Sequence, residues 1–173
     1  YLALSGKNEE LYDALEAFGS YYRTLLSKGK EMITVHEELC MVKDYLELQK
    51  LRYGDSLRYV INSDPELENT YILKMTVQPL VENSVNHGIR PKVTSGLVYI
   101  ECIQEEGFIK MSVVDDGVGM NEKQLAEIQQ EVLDTNAKSF GLRGTMERMK
   151  IFYEKDIEYE IKSHINKGTS VIF

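Results

Sequence analysis

Polar side chains with the chemistry to bind a ligand are concentrated in the stretch QPLVENSVNHGI, residues 78–89. Its leucine and valine residues recur with the spacing of one face of a helix. Asn83 supplies an uncharged amide oxygen, a hard ligand of the kind that Mg²⁺ accepts. Glu82 could take a proton or orient a water or a substrate imidazole, and Asn86 and His87 follow within one turn. Taken singly, Asn83 fits a solvent-facing helix residue better than a ligand.

A second stretch, VVDDGVGM at residues 113–120, places Asp115 at the end of a predicted strand. Gly117 and Gly119 allow a positive φ and the close approach of a ligand. A buried carboxylate is costly without a donor, and the exocyclic amine of adenine is a suitable one. A hydrogen bond to a charged group contributes about 1.5–3 kcal/mol. The alternative is a tight turn with an exposed Asp115.

A third stretch, SFGLRGTMERM at residues 139–149, has Gly141 immediately before a predicted helix and Arg143 in its first turn. The free amides and the positive dipole end at a helix N-terminus attract phosphate. The guanidinium of Arg143 adds a forked donor that is always charged. The alternative is a surface helix with a solvated arginine.

The composition and the motifs that are missing exclude several functions. A formal net charge of −8 argues against nucleic acid as the main partner, because phosphate neutralisation needs clustered lysine and arginine. No stretch resembles a membrane span. Cys40 and Cys102 lie far apart and are both predicted to be buried apolar thiols. No G-x-x-x-x-G-K-[ST] sequence of a P-loop occurs, and GVGMNE lacks the third glycine of a Rossmann fingerprint.

The elements that must position these residues follow from the hydrophobic period. An amphipathic helix with an apolar seam from Leu11 to Leu25 ends at Gly29, and the capping box TVHE, residues 34–37, begins a second helix that ends at Gly54. These two helices predict an antiparallel hairpin. Strands are predicted at 57–63, 96–104, 108–116, 157–163 and 169–173, and further helices at 75–88, 121–133 and 141–154. The predicted class is α+β, a two-layer sandwich of a mixed, mainly antiparallel sheet with helices on one face.

The order of the motifs resembles the GHKL ATPase superfamily, which includes histidine kinases, gyrase-type topoisomerases, Hsp90 and MutL. An asparagine-bearing helix is followed by D-x-G-x-G, a polar loop, G-L-R at a helix start, and KGTSV on the last strand. The stretches QPLVENSVNHG, GLRGTMERMKIFY and EELCMVKDYLELQKLRYGDSL resemble the LytS/YesM-like sensor histidine kinases more closely. The resemblance covers nearly the whole chain. It implies a Bergerat ATP-binding fold at residues 55–173, preceded by a helical hairpin at residues 1–54 from the dimerisation and phosphotransfer region.

The resemblance also implies roles for individual residues. Asn83 would be the magnesium ligand, Asp115 would accept a hydrogen bond from the adenine amine, and Glu82 would be a catalytic base. Gly117 and Gly119 would form a turn that faces the nucleotide. The remaining implied nucleotide-binding residues are Asn86, Thr169 near the adenine, and Gly141, Leu142 and Arg143, which would close a lid onto the phosphates. A packing or capping role is predicted for His87.

The activity that the resemblance implies is transfer of the γ-phosphate of Mg·ATP to a histidine, with relay to a response regulator. The implied protein is a homodimer, and this chain would be its cytoplasmic part, joined to a membrane only through upstream segments. Related kinases carry the acceptor in a PHFLFN-like stretch, and His36, His87 and His164, the only histidines here, lie in other contexts. We therefore expect the acceptor helix upstream of residue 1. The alternatives are a degenerate, non-catalytic ATP-binding module and another GHKL ATPase.

Three positions depart from the family pattern. Ser139 and Asn166 stand where glycines are expected, and Gly144 stands where asparagine is common. These departures concern the geometry of the lid and of the last turn. The polar loop at residues 134–140 lacks apolar anchors, and we expect it to be mobile without nucleotide.

Overall fold

A computed structural model describes residues 7–26, 31–133 and 141–173. The predicted helix-ending Gly29 and the predicted mobile loop at residues 134–140, which includes Ser139, lie outside the described residues. The helices are α1 (Asn8–Leu25), α2 (Val35–Tyr53), α3 (Gln78–Asn83), α4 (Glu122–Leu133) and α5 (Leu142–Tyr153). The strands are β1 (Met32–Thr34), β2 (Leu57–Ser63), β3 (Tyr71–Leu73), β4 (Gly96–Glu105), β5 (Phe108–Asp115), β6 (Glu160–His164) and β7 (Gly168–Ile172).

The main sheet has five strands in the order β2-β4-β5-β7-β6. Only the β2–β4 pair is parallel, whereas β4–β5, β5–β7 and β6–β7 are antiparallel. Buried and partly exposed residues alternate along β4, so one face of the sheet meets the helices. The predicted α+β class with a mixed, mainly antiparallel sheet is therefore confirmed.

Helix α2 packs into the same hydrophobic core as the sheet. Its Val35, Val42 and Leu46 are fully buried and cluster with apolar residues of β2, α3 and β4. The predicted capping box is present, because Glu37 N–H donates to Thr34 Oγ1 at 3.1 Å and Thr34 N–H donates to Glu37 Oε2 at 2.8 Å. The predicted division of the chain at residue 54 thus falls between two parts that share one core.

A short strand that the sequence analysis missed lies before α2. β1 pairs with β3 in an antiparallel two-stranded sheet, in which Ile33 lies opposite Ile72. The predicted helical hairpin therefore contains a strand between its two helices.

The prediction of two buried thiols is wrong for Cys40, which is exposed, whereas Cys102 is buried. Cys40 lies on the solvent side of α2 with the exposed His36, and the Cys40 Sγ and His36 Nε2 atoms are 3.5 Å apart. The thiol follows buried Leu39 directly, and adjacent helix residues point in different directions.

Helix α1 contacts the rest of the molecule on one side and leaves an apolar stripe exposed on another. Tyr21 packs beside Tyr45 of α2, with their ring centroids 6.2 Å apart. The exposed stripe consists of Tyr12, Leu15, Phe18, Tyr22 and Leu26. No helix in the described part of the chain is both long and apolar enough to cross a bilayer.

Helix α3 is shorter than the predicted helix at residues 75–88. Met75 has a φ of 61°, which is outside the helical region, and the α-helix begins only at Gln78. Residues 84–89 then form a π-helical turn, in which Arg90 N–H donates to Val85 O, five residues back, at 2.9 Å. Such wide turns recur at functional sites.

We expect the Leu46→Ala variant to lose about 2–5 kcal/mol of unfolding free energy, because it creates a cavity in the core shared by α2 and the sheet. Urea unfolding of the 173-residue chain measures this loss. The matched control is Leu51→Ala on the same helix, since Leu51 is 44% exposed. Equal losses in the two variants would contradict the packing of α2 into this core.

Candidate functional site

A cavity of about 630 Å³ opens between the sheet, the π-helical turn, α4 and the N-terminus of α5. Seven of the residues predicted to form a site line it: Asn83, Asp115, Gly119, Gly141, Leu142, Arg143 and Thr169. These residues come from four separate segments of the chain, so the fold brings together what the sequence keeps apart.

The carboxylate of Asp115 is the most deeply buried charged group of the cavity wall, with a residue exposure of only 4%. Gly117 N–H donates to its Oδ1 at 2.9 Å, and the Ser84 side chain and the Thr169 backbone also hydrogen-bond to it. Burial nevertheless raises the pKa of Asp115, and the three hydrogen bonds act in the opposite direction. A ligand that donates a further hydrogen bond would stabilise the ionised form.

The turn after Asp115 needs glycine for two different reasons. At Gly117 a Cβ would lie 2.4 Å from the backbone of Gly88, so the two chain segments touch. A positive φ is expected at both glycines. Gly119 has a φ of 62°, whereas Gly117 does not have a positive φ. A Cβ on Gly88 would in turn lie 2.6 Å from Asp115 Oδ1. Glycine at 88 and 117 therefore lets the π-helical turn cover the carboxylate.

Asn83 lies across the cavity beside the start of α5. A Cβ on Gly141 would be 3.2 Å from Asn83 Nδ2. The next residues, Leu142 and Arg143, are both buried. Arg143 is only 7% exposed, and its Nη2 lies 3.6 Å from Glu147 Oε2 on the same helix. This side of the cavity therefore combines an amide and a buried cation.

Three predicted residues are not on the cavity wall. Gly117 acts through its backbone contacts with Asp115 and Gly88, and Asn86 is exposed outside the cavity. Glu82 is directed toward α1, where its Oε1 accepts hydrogen bonds from Gln78 Nε2 at 3.0 Å and from Tyr21 Oη at 3.4 Å.

Burial and the nearby charge of Glu82 raise the pKa of Tyr21 to about 12. Tyr21 therefore stays a neutral hydrogen-bond donor to Glu82 at physiological pH.

Sequence reasoning missed several residues that line the cavity. Ser84 and Gly88 belong to the π-helical turn, and His87, predicted to be a packing or capping residue, is exposed on the cavity wall. The glycine inside a helical pattern was the available signal, since such a residue indicates close packing. From α4 come Gln124, Glu127 and Ile128, for which an isolated amphipathic helix gives no signal.

The turn between β6 and β7 accommodates Asn166 at the position where the family pattern has glycine. Its φ is 58°, a conformation that asparagine adopts more readily than most residues. Asn166 N–H donates to Val118 O at 2.7 Å, and Ser163 Oγ lies 2.9 Å from Thr169 Oγ1. The turn therefore supports the cavity wall without the expected glycine.

The donor set fits a metal ion that arrives with a ligand. Across residues 7–26, 31–133 and 141–173, no group of three or more His, Cys, Asp or Glu side chains could hold a metal. Mg²⁺ usually takes one or two protein ligands and completes its shell with phosphate oxygens and water. The amide oxygen of Asn83, on the cavity wall, suits that arrangement.

Comparison with known proteins identifies the family. A family model described as histidine kinase-, DNA gyrase B- and HSP90-like ATPase matches residues 69–173, more than half of the chain. The chain belongs to this ATPase family. A second model, described as histidine kinase, matches residues 1–57.

Curated relatives of this ATPase-family chain are sensor kinases, which confirms the resemblance to the LytS/YesM-like group. Sensor histidine kinase YesM of Bacillus subtilis is 25% identical over 172 residues, which are 99% of this chain and 29% of YesM. Sensor histidine kinase YpdA of Escherichia coli is 30% identical over 84% of this chain and 25% of YpdA. Sensor protein LytS of Bacillus anthracis is 26% identical over 88% of this chain and 26% of LytS. The chain therefore spans less than a third of the length of these relatives.

Solved structures share the fold of this ATPase-family chain. The histidine kinase domain of the blue-light activated histidine kinase from Erythrobacter litoralis has a TM-score of 0.55 and 15% identity, covering 94% of this chain and 72% of that one. The catalytic domain of the histidine kinase ThkA has a TM-score of 0.57 and 16% identity, covering 82% and 91%.

We expect Asp115→Asn to be at least as stable as the parent near neutral pH. The folded-state pKa of Asp115 is raised above the ordinary 3.8. Between pH 3.8 and the raised pKa, the folded chain binds more protons than the unfolded chain. The free energy of unfolding therefore falls as the pH rises through this window. Asparagine removes this dependence, and the gap between variant and parent should shrink as the pH falls toward 3.8.

Urea unfolding across this pH range measures the difference, with Asp55→Asn on an exposed residue as the control. An Asp115→Asn variant that is clearly less stable than the parent near neutral pH would contradict the assignment of a costly buried charge.

Proposed function

We propose that the chain is the ATP-binding catalytic region of a two-component sensor histidine kinase. The observation that carries this proposal is that one cavity brings together the buried Asp115 carboxylate, the Asn83 amide and the buried Arg143 guanidinium. These groups complement the base, the metal and the phosphates of Mg·ATP, respectively. The family membership and the sensor-kinase relatives support the same proposal.

Each group has a defined part in binding. Asp115 would accept a hydrogen bond from the adenine amine, which guanine lacks at that position. Thr169, which faces Asp115 across the β5–β7 pair, would lie near the base. Arg143 would stabilise the phosphates, and Asn83 would hold Mg²⁺, which supplies charge neutralisation at the phosphates when it is bound. Phosphoryl transfer depends mainly on positioning and charge stabilisation, so these few groups can suffice for it.

The whole-protein setting is also part of the proposal. The γ-phosphate would pass to a histidine on the acceptor helix of the same protein and then to a response regulator. The chain would form the cytoplasmic part of a membrane sensor, with residues 1–54 contributed by the dimerisation and phosphotransfer region and residues 55–173 by the ATP-binding domain. Glu82 would act as the base toward the acceptor imidazole, and Asn86 would contact the nucleotide.

The second candidate is a non-catalytic ATP-binding module. It is favoured by the position of Glu82, which contacts Gln78 and Tyr21 and does not line the cavity. The two candidates differ when an acceptor-bearing segment from a related kinase is supplied with the chain and labelled ATP. Acid-labile phosphohistidine on that segment supports the kinase, whereas ATP binding without transfer supports the module. Rapid hydrolysis by the chain alone would indicate another kind of GHKL ATPase.

We expect Asp115→Asn to weaken binding of ATP by about 10- to 150-fold, because it removes a charged acceptor worth about 1.5–3 kcal/mol. Isothermal titration calorimetry measures the affinity, and Asp55→Asn, on an exposed residue, is the control. Unchanged affinity in Asp115→Asn would defeat the assignment of the adenine site.

We expect Asn83→Ala to lose most of the gain in ATP affinity that Mg²⁺ confers on the parent. The comparison is made by titrating ATP with and without Mg²⁺. Asn69→Ala is the matched control, since Asn69 is exposed and does not line the cavity. If Mg²⁺ shifts the affinity of Asn83→Ala and of the parent equally, Asn83 is not the ligand.

The exposed stripe of α1 supports the proposed homodimer. Its Leu15 is 62% exposed and its Phe18 is 49% exposed, and a second copy would bury both. We expect Phe18→Glu to shift the chain from dimer to monomer in sedimentation velocity. The control is Val93→Glu, which changes an exposed valine outside α1. A parent chain that is monomeric at high concentration would argue against dimerisation through this stripe.

A further inference from the structure

Residues Leu73–Gln78, here called the junction segment, connect β3 to α3 and are held from both sides. On one side stands the carboxylate of Glu38, which is fully buried on α2. It accepts hydrogen bonds from the N–H groups of Met75 at 2.9 Å, Val77 at 2.9 Å and Gln78 at 3.1 Å. The N–H groups of the junction segment therefore donate to an acceptor on a helix that is distant in the sequence.

On the other side, α5 holds the carbonyl groups of the same segment. The guanidinium of Arg148 donates to Lys74 O through Nη2 and to Met75 O through Nη1, the latter at 3.5 Å. Further along α5, the hydroxyl oxygen of Tyr153 accepts a hydrogen bond from Leu73 N–H at 3.0 Å. One short stretch of backbone thus ties α5 to α2.

The helices α3 and α5, which meet at the junction segment, both reach the cavity as well. α3 continues from the junction segment to Asn83, and α5 begins at the cavity with Leu142 and Arg143. Their cavity ends meet again, since a Cβ on Gly141 would lie 3.2 Å from Asn83 Nδ2. The two helices are therefore joined at the junction segment and again at the cavity.

We propose that Glu38 and Arg148 are positioning residues for the nucleotide cavity. Neither residue lines the cavity. Through the junction segment they fix the spacing between Asn83 on α3 and Arg143 on α5, the proposed metal and phosphate ligands. This inference rests on the proposed function, because it assigns a purpose to that spacing.

Linkage makes the inference testable without a catalytic assay. If the junction segment sets the spacing that binds nucleotide, then bound nucleotide must stabilise the junction segment by the same free energy. The amides of Met75, Val77 and Gln78 report on this, because their hydrogen bonds to Glu38 must open before they exchange with solvent. None of these three residues belongs to the cavity wall.

The experiment is amide hydrogen exchange on the 173-residue chain, with and without Mg²⁺ and the non-hydrolysable ATP analogue AMP-PNP. We expect the analogue to slow exchange at Met75, Val77 and Gln78 in the parent. The Arg148→Met variant should lose this slowing and bind the analogue about tenfold more weakly, as expected for a residue that couples through packed contacts. Arg148→Lys, which keeps one cationic donor, should restore part of both effects.

A purely structural role for Arg148 predicts a different result. In that case Arg148→Met would raise the amide exchange rates by the same factor with and without the analogue. The nucleotide-dependent slowing would then persist. Arg52→Met is the matched control, because Arg52 is exposed on α2 and stacks only over the Tyr53 ring among the contacts described. It should leave both the slowing and the affinity unchanged.

Three results would overturn the inference, and they show whether the proposed function fails with it. If the analogue binds the parent but leaves exchange at Met75, Val77 and Gln78 unchanged, or if the slowing persists in Arg148→Met, the positioning role is wrong and the proposed function stands. If the analogue does not bind the parent at all, the proposed function fails and the positioning role fails with it.

Discussion

The placement of the cavity depends on one buried carboxylate, that of Glu38. The first N–H groups of a helix have no partner within the helix, and those in front of α3 would be buried without one. Glu38 supplies it from α2, and its negative charge also suits the positive end of the helix dipole. Burial raises the pKa of Glu38, while the backbone hydrogen bonds act to lower it. Separating α2 from α3 would leave a buried charge without donors, which is costly.

Asp115 repeats this physical arrangement at the bottom of the cavity, with one difference. Glu38 contacts only protein, whereas Asp115 lines an open cavity. The donors that Ser84, Gly117 and Thr169 offer do not outweigh the effect of burial on its pKa. Burial of this carboxylate therefore opposes folding, and the adenine amine proposed to donate to it would offset that cost on binding. A site that favours a ligand with its own donor is consistent with the general trade-off between stability and function.

The sequence was sufficient to predict the elements with a strong period or a defined cap. The strands predicted at 96–104 and 108–116, the capping box at Thr34 and the helix predicted at 121–133 are all present. The strands β1 and β3 escaped prediction because three residues are too few to show alternation.

The beginning of α3 was predicted too early, because Met75 has a helix-forming side chain but is held at a φ of 61° by tertiary contacts. By contrast, the motifs correctly indicated that Asp115, Asn83 and Arg143 lie at one site. The contributions of α4 and of His87 to the cavity wall depend on packing that spacing alone does not specify.

The polar residues on α3 and the π-helical turn form two groups that face different parts of the molecule. Asn83, Ser84 and His87 line the cavity, whereas Gln78 and Glu82 lie toward α1. Successive residues of an α-helix are about 100° apart around its axis, and here Glu82 is directed toward α1 while Asn83 lines the cavity. Rotating α3 enough to bring Glu82 into the cavity would remove Asn83 and break the hydrogen bonds that Glu38 accepts at the start of the helix. The hypothesis that Glu82 is the base therefore requires the acceptor imidazole to approach from the side of α1, where the carboxylate already accepts a hydrogen bond from a tyrosine hydroxyl.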